Sequence, residues 1–163
     1  MNRTLAMRLG GPLVAGALIL GSCGGGTSPA PTLGGGGTVA PGGGTTIDVT
    51  LQEWAVAPSA DAAPAGDVTF KVANQGPEDV HEFVILKTDL GAGSLPVDET
   101  GAVDEAGAGI EVVDEIEDLA VGSTQDLTVT LEAGNYVLLC NIYDDAALEA
   151  HYAMGMRIDF TVS

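Results

Sequence analysis

From Ile47 onward the chain returns repeatedly to a two-residue alternation of apolar and polar side chains, the mark of strands with one buried face. Residues 47–51 (IDVTL) show it first. Trp54 follows in a less regular stretch, and Pro64-Ala-Gly66 turns the chain. Residues 67–72 alternate again, placing Val68, Phe70 and Val72 inward, and Asn74-Gln-Gly-Pro77 breaks the run. Residues 80–87 are apolar on both sides from Phe83 to Leu86, which fits a central strand covered on both faces. Residues 88–108 have no period and are rich in Gly, Asp, Glu and Pro, so they read as a long excursion between sheets with room for one helical turn. Residues 110–119 carry Ile110, Val112, Val113 and Ile116 among acids, a weaker strand pattern. Residues 125–131 (inward Leu127, Val129, Leu131), 136–140 and 156–162 (inward Met156, Ile158, Phe160, Val162) complete the set, with a tight turn at 132–135. No long helical period occurs. The pattern predicts an all-β domain: an antiparallel Greek-key β-sandwich of about seven to eight strands.

The two ends differ from this domain. Residues 1–22 have a short basic start (Arg3, Arg8) and an apolar run too brief to span a bilayer, the layout of a secretory signal peptide. Leu20-Gly21-Ser22-Cys23 looks like a bacterial lipobox, which predicts lipidation at Cys23. Residues 23–45 are almost wholly Gly, Pro, Thr, Ala and Ser, a composition that reads as a flexible tether. The domain is assigned to residues 46–163, exported and held at the outer face of the cytoplasmic membrane by an acylated cysteine.

All 23 acidic residues fall in that domain, against three of the five basic ones (Lys71, Lys87, Arg157). Such a surface repels nucleic-acid phosphates and anionic lipid headgroups. It permits steering toward a partner with a basic docking face.

The inventory of metal-binding side chains is short. With Cys23 lipidated, Cys140 is the one remaining thiol, and no intramolecular disulfide can form although the compartment allows one. His81 and His151 are the only histidines. Cys140 shares strand parity with Tyr136 and Leu138, while Met156 heads the inward row of the neighbouring segment, so thiol and thioether fall at one end of the sandwich. His81, at the start of the third strand, lies within reach of the same end. Taken singly, a buried cysteine is usually an inert hydrophobe and a methionine usually core. Together, two imidazoles, a thiolate and a distant thioether form the ligand set of blue-copper electron-transfer sites.

Asn74-Gln-Gly-Pro-Glu-Asp-Val-His81-Glu-Phe83 resembles the first ligand segment of the cupredoxins, the plastocyanin and azurin group. Tyr136-Val-Leu-Leu-Cys140-Asn141 and His151-Tyr-Ala-Met-Gly-Met156 resemble the two halves of their second ligand segment. The resemblance covers the whole domain and is closest to bacterial plastocyanin-like or sulfocyanin-like proteins. It implies one copper ion held by His81, Cys140 and His151, with Met156 as the weak axial ligand. Met154 is the rival for that position, and spacing favours Met156. The departure is the loop: ten residues, 141–150, separate Cys140 from His151, where compact members have two to four. Ala146-Ala-Leu-Glu-Ala150 has high helix propensity, which predicts a helical turn that folds the loop back. Asp144, Asp145 and Glu149 would then lie near the metal, favour Cu(II) and lower the reduction potential.

These readings converge on a lipid-tethered, monomeric, non-enzymatic carrier of single electrons serving a redox partner protein. Two alternatives use the same residues differently: a copper carrier or buffer without electron transfer, and a metal-free β-sandwich interaction domain.

Overall fold

The computed structural model describes residues 44–163. Residues 1–22, read as a signal peptide, Cys23, expected to be lipidated, and nearly all of the expected linker lie outside the described residues. Thr45, assigned to the linker on composition, already belongs to the first strand.

Eleven strand segments and one helical turn follow in order: β1 (Thr45–Gln52), β2 (Ala55–Pro58), β3 (Ala62–Ala63), β4 (Gly66–Asn74), β5 (His81–Lys87), β6 (Glu111–Leu119), β7 (Thr124–Leu131), β8 (Gly134–Leu139), β9 (Tyr143–Asp144), β10 (Glu149–Ala150), α1 (His151–Met154) and β11 (Arg157–Val162). The seven strands expected from alternation are the seven segments of six residues or more. The other four are too short to show a period.

Two sheets face each other, a four-stranded one in the order β2-β1-β4-β7 and a five-stranded one in the order β3-β11-β8-β5-β6. The expected sandwich is present, but it is not purely antiparallel. β1 pairs with β4 in parallel, and β3 with β11 likewise. The physical reason is the path between β1 and β4, which passes through β2 and then β3 in the opposite sheet. Such a crossover, about a dozen residues long, returns the chain in its original direction. Alternation reports which face of a strand is buried and carries no information about the direction of its neighbour.

The inner faces meet as predicted. Val68, Phe70 and Val72 of β4 pack against Phe83 and Ile85 of β5, Leu138 of β8 and Phe160 of β11. Phe70 lies between Phe83 and Phe160, with ring centroids 5.4 and 5.7 Å away. The opposite face of β5 and β8 presents Val84, Leu86, Val137 and Leu139 to a second cluster with Ala92, Leu95, Val103 and Tyr152. The excursion at 88–108 therefore lies over the outer face of the five-stranded sheet and makes β5 and β8 buried on both sides. It holds no helix; its one regular feature is an isolated bridge between Val97 and Val103. Among the described residues, no helix is long and apolar enough to cross a membrane.

Candidate metal centre

One end of the sandwich collects four elements. His81 opens β5, Cys140 directly follows β8, His151 opens α1, and Met156 directly precedes β11. The β8–β11 ladder pairs Leu139 with Arg157, and the Cys140 N–H donates to the Met156 carbonyl at 3.0 Å, so the ladder runs one residue further. Cys140 and Met156 lie in the same core cluster, each with 0% exposure. Met154, by contrast, is 44% exposed. Gly155 makes this change of direction possible. Its φ of +125° disfavours other residues, and a Cβ there would meet the Trp54 carbonyl at 3.2 Å.

The ten-residue loop does not form the expected helical turn at 146–150. It folds as a hairpin, with Asp144 paired to Glu149 and Tyr143 to Ala150. The Asp144 carboxylate accepts the N–H groups of Ala146 and Ala147 at 2.7 and 3.1 Å, closing the tip. Five residues cannot repay the cost of nucleating a helix alone, whereas an Asx-type turn needs only its own side chain. At the hairpin's base the His151 N–H donates to the Ile142 carbonyl at 2.9 Å, bringing His151 back beside Cys140. The helical turn is instead His151–Met154, which starts only after the stretch where a turn was expected.

His81 is fixed from the other side. Asn74, 1% exposed, accepts the Gly76 N–H at 2.8 Å and donates to the carbonyls of Asp79 and Leu119 at 2.8 and 2.9 Å. It thus ties the segment leading into β5 to the end of β6. The Glu82 N–H points at the Cys140 sulphur, 3.3 Å away. The Glu82 carboxylate accepts the Asn141 N–H at 2.7 Å, and the Asn141 side chain binds both backbone groups of Val103. Tyr152 locks α1 to the excursion by donating its hydroxyl to the Ala92 carbonyl at 2.7 Å.

The result is a buried triangle. The Nδ1 atoms of His81 and His151 are 3.2 Å apart, and the Cys140 Sγ is 3.3 Å from that of His151 and 3.9 Å from that of His81. Among the described residues, these three form the group of His, Cys, Asp or Glu side chains placed to hold a metal ion. The centre of a triangle with those sides is about 2.0 Å from each corner, on the scale of first-row metal bonds, which for zinc are about 2.0–2.1 Å to imidazole nitrogen and about 2.3 Å to thiolate sulphur. The dimensions and the donor set fit one metal ion.

Electrostatics agree. Burial pushes both imidazoles below their ordinary values, so both are neutral and have a lone pair to offer. Proximity of the two rings lowers His81 further. Burial pushes the Cys140 thiol up to about 12, so its proton leaves only in exchange for a cation. A cavity of about 310 Å³ lined by Glu78, Asp79, Val80, Ile142, Asp144 and His151 opens beside the triangle.

The chain matches no protein-family model and no curated protein. Solved structures do resemble it. A dithionite-reduced auracyanin from the photosynthetic bacterium Roseiflexus castenholzii is 25% identical, over 75% of this chain and 99% of that one, with a TM-score of 0.52. An azurin from the obligate methylotroph Methylomonas sp. strain J is 16% identical, over 73% and 98%, with a TM-score of 0.50, and agrees in fold. The domain has the cupredoxin fold. In this domain His81, Cys140 and His151 cluster where one metal ion could be held.

Three surrounding side chains had no role in the sequence reading. Glu53 and Trp54 lie in the turn between β1 and β2. The Trp54 ring meets the His151 ring edge-on, centroids 5.0 Å apart, and Glu53 lies behind His81. Neither belongs to an alternating run, and one more glutamate in so acidic a chain carries no signal. Glu82 is signalled only by position: a carboxyl one residue from His81 at the head of a buried strand has to find a partner, and it finds the Asn141 N–H.

Proposed function

We propose that the chain is a membrane-tethered carrier of single electrons, using a copper ion held by His81, Cys140 and His151 with Met156 as a weak fourth ligand. The observation that carries this is the triangle: two neutral imidazole nitrogens and one thiol sulphur meet at metal-bond dimensions in a buried site. When bound, copper supplies the one-electron couple, its oxidised state served by imidazole and its reduced state by the sulphur donors. The protein's part is to hold the ligands still. His81 is set by Asn74, His151 by the β9–β10 hairpin, and Cys140 by the Glu82 N–H. Ligands held in this way need little rearrangement when an electron arrives or leaves. The Glu82 N–H donating to the sulphur also spreads thiolate charge, which favours the reduced state.

The thioether role of Met156 is supported by its burial beside Cys140 and by the exposure of Met154. Acylation of Cys23 would anchor the domain outside the cytoplasmic membrane, with residues 24–44 as the spacer. The charge of −18 favours a redox partner with a basic docking face.

The test is a Cu(II) titration of the chain. One equivalent is expected to produce an intense thiolate-to-copper absorption that ascorbate bleaches and an oxidant restores. Cys140→Ser is expected to abolish the colour, and Met156→Leu to shift it and raise the potential. Copper that binds without colour, or does not cycle, would support a carrier or buffer instead. Absence of stoichiometric copper would leave the interaction-domain reading. The tether is tested separately by radiolabelled palmitate, which should enter the wild type and not Cys23→Ala.

A further inference from the structure

Two buried polar atoms beside the triangle have no partner: Nε2 of His81 and Oε2 of Glu53. They belong to side chains already close together, with His81 Nε2 3.8 Å from Glu53 Oε1. The histidine side chain is fully buried and that of Glu53 is 11% exposed. The other carboxylate oxygen is engaged, because Oε1 accepts the N–H groups of Glu78 and Asp79 at 3.1 and 2.7 Å. Those two bonds hold the carboxylate against the turn leading into His81 and leave Oε2 free.

We infer that Glu53 is a positioning residue of the metal centre, accepting the Nε2–H of His81 and so committing the Nδ1 lone pair to the metal. The inference rests on the copper reading for its purpose. Its geometry does not depend on a metal. A neutral imidazole carries one proton, and a ring that ligates through Nδ1 must carry it on Nε2. That proton is buried, and Glu53 is the group beside it with an unused acceptor. Metal-bound histidines commonly give their second N–H to a carboxylate, which fixes the tautomer and makes the ligand more basic. A negative charge behind His81 also favours the more positive oxidation state of the metal. In the metal-free chain the same contact has a consequence for the pair of rings. With His81 protonated on Nε2, its Nδ1 accepts, so the 3.2 Å contact requires His151 to donate from its own Nδ1.

The test compares the full chain with Glu53→Gln, both carrying ¹⁵N-labelled histidine. The glutamine carbonyl can retain the bonds to the Glu78 and Asp79 N–H groups, leaving its amide toward His81 and removing the charge. In the metal-free wild type, two-bond ¹H–¹⁵N spectra are expected to show His81 as the Nε2–H tautomer with a slowly exchanging proton. In Glu53→Gln the Nδ1–H form of His81 gains several-fold. With copper, the variant binds Cu(II) about 10–100-fold more weakly. Its reduction potential rises by about 59 mV for each tenfold loss that Cu(I) does not share. A wild-type His81 protonated on Nδ1, or a folded variant with wild-type tautomers or a wild-type potential, overturns the inference. Should Glu53→Gln fail to fold, the wild-type spectra decide alone. If the wild type takes up no copper, the electron-carrier reading falls and the metal-free spectra still judge Glu53.

Discussion

Replacing Asn74 with alanine removes the side chain that fixes the approach to His81, and the cost can be worked from its three bonds. The amide accepts one N–H, from Gly76, and donates to two carbonyls, of Asp79 and Leu119. The bonds to Gly76 and Leu119 are buried, while that to Asp79 is partly buried and open to replacement by water. Each buried group left without a partner costs about 1–3 kcal/mol. Two such groups and a small void give a loss of about 3–5 kcal/mol. Nearby packing limits relaxation, because Gly76 has a φ of +46° and a Cβ there would meet Val121 at 2.7 Å. In urea, with a slope of about 2 kcal/mol per molar, the midpoint of the metal-free chain would fall by roughly 2 M. Copper affinity is expected to fall as well, since the His81 approach loses its anchor to β6. A loss below about 1 kcal/mol would refute the reasoning, showing that the turn is held by its backbone and Val121 packing without the amide.

Three more predictions follow from the electrostatics. Both histidines are held below 6.5 by burial, so the unfolded chain binds more protons as pH drops below that value. Stability of the metal-free chain is therefore full above about pH 6.5 and declines as pH falls through the depressed folded values, and a urea midpoint measured between pH 8 and 5 checks this. Glu82 has the opposite sign: burial foremost, with Glu105, Glu115 and Glu117 adding to it, raises its carboxyl from 4.5 to about 7. Between those values the folded state binds more protons, so its contribution is lost as pH rises, and Glu82→Gln is expected to stabilise the metal-free chain at pH 8 by on the order of 3 kcal/mol. Because the two windows overlap, the histidine decline is best measured in the Glu82→Gln background. Asp144 lines the cavity beside His151, and Asp144→Asn is expected to raise the reduction potential in voltammetry; an unchanged or lower value would contradict the role given to the acidic loop.

What could be read from the sequence, and what could not, divides along physical lines. Period-two alternation named the inward rows of β4, β7 and β11 because burial acts on each side chain by itself. The double-sided apolar run of β5 announced a strand covered twice, and the excursion at 88–108 is what covers its second face. The parity of Cys140 and Met156 puts both on the inner face at one end of the sandwich, where they share the core cluster. Pairing direction was illegible, so the parallel β1–β4 and β3–β11 contacts were missed. The loop at 141–150 departs from its helix propensity because five residues are too few to nucleate a helix and the Asp144 side chain closes a hairpin instead. Glu53 and Trp54 act through tertiary approach alone, from a turn about thirty residues before His81 in sequence.

The central claim is that the three ligands are already in place for one copper ion and stay there in both oxidation states. X-ray absorption at the copper edge tests it most directly, on the loaded chain before and after ascorbate. The expected result is one short copper–sulphur bond and two nitrogens at about 2.0 Å, with both shells nearly unchanged on reduction. A copper ion without a short sulphur neighbour, or one that gains or loses a ligand on reduction, would contradict the account.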